Sequence, residues 1–253
     1  MSWLDAKEAE RYRTVLFNEI YKTEVNPERQ GIPSSGAACD YALIAADTIT
    51  AAIQAHKAQP TSKIVLLNFA SFRYPGGGFM SNAIAQEECL CYCTTLYPAL
   101  EAHHEDWYTP HATRIRNGMY ENQSLLSHDV QVLASAPGVL LPQEQRFYVD
   151  VLTCAAPNWT AALKYNTLPM ETLEATTRDR IDYVMQILSA GEYDEVILGA
   201  YGCGVFKNDP KIVAEAFREA MTKYAFSHVT FAIPDENSRN YKTFQRVLNN
   251  ASK

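Results

Sequence analysis

The chain has 253 residues, of which 47% are hydrophobic and 20% are charged, as in an ordinary globular protein. This length suffices for one large α/β domain or two small ones. The formal net charge of −7 argues against broad nucleic-acid binding, although it leaves room for a local pocket for a diphosphate. No apolar run reaches the roughly 18 residues of a membrane helix, and the charged N-terminal segment has no apolar signal-peptide core. We therefore expect a cytoplasmic protein, or a nuclear one in a eukaryotic cell.

A helix is predicted over residues 3–22 from apolar residues at helical spacing, and a loop rich in helix breakers follows over 26–36. Residues 41–46 are predicted as a strand that leads, through an Asp-Thr N-cap, into a helix ending near residue 57. A single helix over 39–57 is the competing interpretation.

The most informative stretch is residues 64–88. The aliphatic run Ile64–Leu67 predicts a strand covered on both faces, and it ends at Asn68. A loop with three consecutive glycines, Gly76, Gly77 and Gly78, then leaves backbone N–H groups open to phosphate or sugar oxygens. Seven residues later, Gln86, Glu87 and Glu88 begin a helix. Paired carboxylates beside such a loop suggest glycosidic chemistry, in which one protonated glutamate serves as the acid.

After this stretch, helix is predicted to about Tyr97, with a break at Pro98 and a second short helix over 99–106. Residues 107–123 are predicted to be irregular. Arg146–Ala155 is rich in β-branched and aromatic residues and is predicted as a strand.

Residues 159–176 are predicted as a polar loop. Thr176 or Thr177 would cap a helix that runs to Ala190 and ends at Gly191.

Glu195–Ala200 predicts another buried strand, which delivers a second glycine loop, Gly202, Cys203, Gly204, Val205 and Phe206. A helix over 210–224, a strand over 228–233 and a helix over 240–248 complete the chain. Strands that alternate with helices imply a mostly parallel sheet with helices on both faces. Ligands bind outside the carboxyl ends of such strands, and both glycine loops follow strand ends. The second loop also precedes a helix N-terminus, which favours an anion.

The spacing of GGG and QEE, preceded by LNFA, resembles the signature of microbial-type poly(ADP-ribose) glycohydrolases, a family of the macrodomain superfamily. The stretch GAYGCGVFKNDP also resembles that family's diphosphate-binding loop, with Tyr201 where a tryptophan is usual. The resemblance spans residues 12–248 and is weaker between 99 and 145. It implies one macrodomain-like three-layer α/β/α sandwich over residues 1–253, with a mostly parallel mixed central sheet and an N-terminal helical extension over about 1–36.

The resemblance also implies the activity: hydrolysis of the ribose–ribose O-glycosidic bonds of poly(ADP-ribose), with release of ADP-ribose. Glu88 would be the general acid and base, and Glu87 would orient the ribose. Substrate-binding roles are implied for Asn68, for the three glycines of the first loop, for Gln86, and for Gly202 through Phe206, whose backbone would wrap the diphosphate. Phe206 would pack against the distal ribose. The expected partner is ADP-ribose or its polymer, bound by a monomer without cofactor, metal or membrane.

Alternatives remain open for the function and for the cysteines. The same residues would serve a mono-ADP-ribosyl hydrolase or a non-catalytic module that binds ADP-ribose. A dinucleotide-dependent oxidoreductase is weakly supported, because neither glycine loop has the GxGxxG spacing. Free thiols are expected for the six cysteines, with a metal site that includes His103 or His104 as the lesser alternative. Asp235, Asn237 and Asn240 are candidates for the nucleotide site.

Overall fold

A computed structural model describes residues 22–28, 30–34, 39–113, 118–165 and 168–249. The helix predicted over 3–22 lies almost entirely outside this part. The strands are β1 (Thr23–Val25), β2 (Asp40–Ile44), β3 (Ile64–Phe69), β4 (Leu125–Val132), β5 (Ala134–Ala136), β6 (Val139–Leu140), β7 (Phe147–Cys154), β8 (Glu195–Leu198) and β9 (His228–Ala232). The α-helices are α1 (Thr48–Ala58), α2 (Gln86–Cys93), α3 (Leu96–Glu101), α4 (Thr109–Thr113), α5 (Trp159–Tyr165), α6 (Met170–Ala190), α7 (Pro210–Lys223) and α8 (Arg239–Asn249). A π-helical turn spans His104–Tyr108, and 3-10 turns span Phe79–Ser81 and Gln143–Gln145.

The central sheet has seven strands in the order β1-β4-β7-β3-β8-β9-β2. The strands from β7 to β2 pair in parallel, while β4 pairs antiparallel with both β7 and β1. The short strands β5 and β6 form a separate antiparallel pair. The predicted sheet, mostly parallel and mixed, is confirmed.

Both faces of the sheet are covered by helices. Along β3, Val65 and Leu67 pack into the core on one face, and Ile64 and Leu66 pack into the core on the other. The first core receives buried side chains of α6, α7 and α8, and the second receives those of α1, α2 and α3. A strand buried on both faces therefore reads as a continuous aliphatic run, and the three-layer α/β/α architecture is confirmed.

The strand and helix predicted over 41–57 are confirmed, and the alternative of one long helix is wrong. The Asp47 carboxylate accepts a hydrogen bond from Thr50 N at 2.8 Å and caps α1. The five residues of β2 pair with β9 instead of joining that helix.

The helix that begins at Gln86 ends earlier than predicted, at Cys93 instead of Tyr97. At this point the backbone forms hydrogen bonds with β4 and the residue after it instead of continuing the helix. Thr95 N donates to Gln131 O, and Leu133 N donates to Cys93 O. Pro98 does not end a helix. It lies in the first turn of α3, where its missing N–H has no intrahelical partner to lose. The short helix predicted over 99–106 and the irregular structure predicted from 107 are also wrong in their bounds, because helical turns continue to residue 113.

The polar loop predicted over 159–176 is wrong. Asn158 caps α5 through a hydrogen bond from Ala161 N to its side-chain oxygen, at 2.9 Å. Helix α6 starts at Met170, after Pro169. The threonines at 176 and 177 lie inside α6, where Thr176 bonds to the carbonyl of Thr172 and Thr177 bonds to Asn208.

All six cysteines are free thiols in the structure. Among the described residues, no cluster of three or more His, Cys, Asp or Glu side chains is arranged to hold a metal ion. None of the described helices combines the length and apolar character needed to cross a membrane.

A partly buried group of charged side chains joins the antiparallel strands at the edge of the sheet. A β-bulge lies between Ser127 and Val130 of β4, and it turns His128 between two carboxylates. His128 Nδ1 lies 2.7 Å from Asp150 of β7, and its Nε2 lies 2.9 Å from Glu24 of β1. These contacts, with the Asp150 hydrogen bond as the largest cause, raise the pKa of His128 to about 9.

Substituting His128→Gln is expected to destabilise the protein most at acidic and neutral pH. The raised pKa means that the stabilisation is complete below the unfolded value of about 6.5 and is lost as the pH rises through about 9. Because the imidazole is partly exposed, we expect a loss of about 1–2 kcal/mol at pH 6. Urea unfolding at pH 6 and pH 10 measures this difference, and an equal loss at both values would contradict it.

Candidate active site

The first glycine loop lies at the carboxyl end of β3 and is shaped by consecutive turns. Gly77 N donates to Tyr74 O at 3.0 Å, and Phe79 N donates to Gly76 O at 3.0 Å. Gly76 and Gly77 have φ values of +65° and +61°, a backbone region that side chains disfavour. The loop therefore needs glycine at these two positions for conformational reasons.

The two glutamates predicted to be catalytic are both buried under this loop. Glu87 is 3% exposed and Glu88 is 7% exposed. Glu87 accepts hydrogen bonds from Ser71 N and from Asn68 Nδ2, the latter at 3.2 Å. Glu88 Oε1 accepts from Gly78 N at 2.7 Å, whereas its buried Oε2 has no partner among the described residues. One carboxylate is thus held by protein groups, and the other keeps an oxygen available.

Burial raises the pKa of Glu87 to about 8, because charging a carboxyl group away from water is unfavourable. The hydrogen bonds from Ser71 N and Asn68 oppose this shift, while the negative charge of Glu88 adds to it. Glu87 therefore keeps its proton at neutral pH, next to Glu88.

Asn68 is the last residue but one of β3 and is fully buried. Its Nδ2 donates to Glu87 and to Thr153 Oγ1, both at 3.2 Å. Its Oδ1 has no hydrogen-bond partner among the described residues. A buried acceptor without a partner is costly, and a sugar hydroxyl could satisfy it.

Gln86 joins the start of α2 to the neighbouring elements. Its Oε1 accepts from Phe69 N at 2.8 Å, and its Nε2 donates to Leu67 O at 2.9 Å and to Thr48 Oγ1 at 3.2 Å. These bonds hold the helix start, and with it both glutamates, against the end of β3. Both the oxygen and the nitrogen of the Gln86 amide therefore already form hydrogen bonds within the protein.

The second glycine loop follows β8 and is held from below by Asn208, which is 2% exposed. Asn208 Nδ2 donates to Pro157 O at 2.7 Å and to Gly202 O at 3.1 Å. Gly202 has φ of +71°, and an added Cβ would lie 2.6 Å from Asn208 Nδ2. Among the described residues, the N–H groups of Gly204, Val205 and Phe206 donate to no acceptor. Consecutive free N–H groups beside the start of α7 form a concavity that suits an anion.

A cavity of about 240 Å³ lies at the same edge of the sheet, beyond Gln86. It is lined mainly by apolar side chains and includes Asp47 and Asn240 at its polar positions. Such a cavity, apolar with a few polar groups, suits a nucleobase. Asn240 is the one nucleotide-site candidate from the sequence that lines it; Asp235 and Asn237 do not.

The structure thus brings both loops, Asn68, Gln86 and the two glutamates to one edge of the sheet. Cys203 and Phe206 are partly buried against the core below the second loop, and Val205 is exposed. Sequence reasoning missed Ser71 and Thr153, which are hydrogen-bond partners from distant loops and strands. It also missed Arg180, a buried cation whose only local sign is an arginine within the apolar stripe of a helix.

Comparisons with known proteins agree with this geometry. A family model for the microbial-type PARG catalytic domain matches residues 5–135. A poly(ADP-ribose) glycohydrolase from Thermomonospora curvata is 29% identical, with a TM-score of 0.76 over 94% of this chain and 89% of that one. The Deinococcus radiodurans enzyme in complex with ADP-ribose is 30% identical, with a TM-score of 0.76 over 96% of this chain and 92% of that one.

A T267K mutant of the Deinococcus enzyme with ADP-ribose is 31% identical over similar coverage. No curated protein matches the chain. The family match covers more than half of the sequence. The two glycine loops and the glutamate pair of this chain lie at one edge of the sheet, where Gly78 N bonds to Glu88. The chain therefore belongs to the family of microbial-type poly(ADP-ribose) glycohydrolases.

Proposed function

We infer that this chain hydrolyses the ribose–ribose O-glycosidic bonds of poly(ADP-ribose) and releases ADP-ribose. Family membership and the similar enzymes with bound ADP-ribose support this activity. Within the molecule, the observation that carries the inference is the buried Oε2 of Glu88 beside a glycine loop, an oxygen with no hydrogen-bond partner in the part of the chain that the structure describes. A module that only binds ADP-ribose has no need for a second buried carboxyl group with an unpartnered oxygen.

The ligand would lie across the carboxyl ends of β3, β8 and β9. Its adenine would enter the cavity that contains Asn240, and its diphosphate would accept hydrogen bonds from the N–H groups of Gly204 through Phe206. The distal ribose would reach Asn68, whose unpartnered Oδ1 would accept a ribose hydroxyl. Glu87 would orient the same sugar.

The reaction then needs one proton and one water molecule. The C–O bond at the anomeric carbon breaks as Glu88 gives its proton to the leaving ribose oxygen, and positive charge develops on the sugar. The Glu88 carboxylate next accepts a proton from the attacking water, which forms the new C–O bond.

We also propose a cytoplasmic location, or a nuclear one in a eukaryotic cell, which is supported by six free thiols. The one-domain organisation with an N-terminal extension over about residues 1–36 remains a prediction.

The test is incubation of the purified chain with poly(ADP-ribose), followed by chromatographic measurement of ADP-ribose. We expect free ADP-ribose to accumulate until the polymer is consumed, and we expect separate calorimetry to show ADP-ribose binding. A folded protein that binds ADP-ribose but releases none would overturn the inference. Release from mono-ADP-ribosylated protein alone would then identify the mono-ADP-ribosyl hydrolase alternative.

A further inference from the structure

We propose that Tyr120 and Arg73 form the binding surface for the leaving-group unit of the polymer, that is, the ADP-ribose unit on the far side of the scissile bond. This inference rests on the proposed function and extends it to the part of the substrate that leaves. Neither residue belongs to the two glycine loops or to the glutamate pair.

The order of the strands places this surface on the correct side of the glutamates. The nucleobase cavity lies at the ends of β8 and β9, to one side of β3. The second loop starts after β8 and reaches across to the segment that follows β7, where Thr160 N donates to Phe206 O and Thr160 Oγ1 donates to Val205 O. Strand β7 lies on the other side of β3, and β4 begins beside its carboxyl end, with Leu125 opposite Thr153. Tyr120 precedes β4 and therefore lies at this end. A polymer whose terminal unit occupies β3 to β9 continues toward β7 and β4.

Tyr120 packs against Phe72, which lies between β3 and the first glycine loop. Its ring stacks on Phe72, with centroids 3.8 Å apart and an interplanar angle of 8°. The Asn158 side chain opposes the rise that burial causes in the pKa of the Tyr120 hydroxyl. Its backbone has φ of +48°, a strained value for a residue with a side chain. The residue remains only partly buried, packed against Ala70, Phe72 and Ala155.

A buried arginine stabilises the backbone conformation at Tyr120. Arg180 of α6 is 1% exposed, and its Nη2 donates to the carbonyl oxygens of Tyr120 at 3.0 Å and Glu121 at 2.9 Å. It also bonds to the Ala155 carbonyl, at the end of β7, and to the side chain of Asn122 at 2.6 Å. One guanidinium thus ties the segment that carries Tyr120 to the strand next to the glutamates. Arg180 is a positioning residue in this scheme.

Arg73 adds an uncompensated charge next to this ring. It follows Phe72 directly, is exposed, and has no ion-pair partner among the described residues. Its charge opposes the rise that burial causes in the pKa of Tyr120, as expected for a guanidinium close to the phenol. Ser71 Oγ accepts from Arg73 N and from Tyr74 N, both at 3.2 Å, and fixes the turn that presents it.

The leaving group has the chemistry that these two side chains recognise. It departs as an adenosine hydroxyl and carries an adenine ring and a diphosphate nearby. An aromatic face stacks on a base, and a guanidinium binds phosphate oxygens. In a chain of net charge −7, an arginine with no ion-pair partner among the described residues gives this surface a local positive charge that attracts the phosphates of the polymer.

The experiment measures affinity for two ligands, ADP-ribose and a purified poly(ADP-ribose) oligomer of uniform length, in a Glu88→Gln background that prevents hydrolysis. We expect Arg73→Gln to weaken oligomer binding about tenfold, and to reduce its dependence on salt. We expect Tyr120→Leu to weaken it about five- to fiftyfold. Both variants should keep the affinity for ADP-ribose within about twofold, because that ligand lacks the leaving unit. Matched controls at the opposite edge are Lys57→Gln and Tyr148→Leu, which should change neither affinity.

Equal weakening of both ligands, or no change for either, would overturn the assignment. So would an oligomer that binds no more tightly than ADP-ribose before Arg73 and Tyr120 are replaced. The proposed function fails separately, if the chain with Glu88 intact releases no ADP-ribose while the preference for the oligomer persists.

Discussion

Replacing Glu88 with glutamine is expected to lower the rate of ADP-ribose release from poly(ADP-ribose) by about a thousandfold or more. An amide of the same size can still accept the hydrogen bond from Gly78 N, which Glu88 Oε1 accepts at 2.7 Å. It cannot give a proton to the leaving oxygen or take one from water, and such transfers contribute about 10²–10⁴ in rate. Binding of ADP-ribose should change little, since the loops and Asn68 are untouched. Initial rates and calorimetry on the same preparations measure both effects.

The matched control for this substitution is Glu144→Gln, an exposed glutamate in the turn before β7, at the opposite edge of the sheet. It should leave both rate and binding unchanged. A Glu88→Gln variant with near-normal turnover would contradict the proposed role of Glu88. If Glu87→Gln were then the inactive variant, the roles of the two glutamates would be reversed.

Replacing Gly77 with alanine is expected to disable the site and to destabilise the fold. The φ of +61° at this position costs a residue with a side chain about 1–2 kcal/mol. The added Cβ would also lie 2.6 Å from Glu88 Oε1 and 2.8 Å from Glu87 Oε2. Both carboxyl groups must move away, and displacement of reacting groups by about 1 Å costs about a hundredfold in rate. Thermal unfolding and the rate of ADP-ribose release test the two effects together.

Gly204→Ala is the control for stability, because no atom lies within 4 Å of an added Cβ there and its φ is not positive. Its melting temperature should match that of the unsubstituted chain. A Gly77→Ala variant that melts at the same temperature and retains full activity would show that the glutamates tolerate a side chain at the loop. The geometric account of the site would then be wrong.

Local signals were sufficient for most of the fold and for the centre of the site. The aliphatic run from Ile64 predicted a doubly covered strand because both faces of β3 are in fact buried. The Asp47 cap and the glycine loops act over a few residues, so their geometry can be inferred from neighbours in the chain. The fixed distance between the GGG loop and the glutamates allows Gly78 N to bind Glu88, and that spacing is visible in the sequence.

Boundaries and supporting contacts were predicted less well, because long-range partners determine them. Helix α2 stops at Cys93 because the backbone groups of Cys93 and Thr95 form hydrogen bonds with the end of β4 and the residue after it. Pro98 is compatible with a helix because α3 begins at Leu96, which places the proline in the first turn. Residues 159–176 were predicted as a loop because the cap that Asn158 provides for α5 was not recognised. In each case the boundary of the element depends on contacts with a second element that the sequence analysis did not pair with it.

The sequence by itself determined the strand-helix alternation, the two glycine loops, the glutamate pair and the family. Each of these depends on residue type at short spacing, where sterics and hydrogen bonding act locally. Only the tertiary structure decided that Asn68 and Glu88 keep buried oxygens without a partner among the described residues, and that Arg180 bonds to the backbone of Tyr120. These arrangements join residues up to sixty positions apart in the chain, as Arg180 and Tyr120 are. Chain spacing carries no information about such contacts until the sheet has assembled.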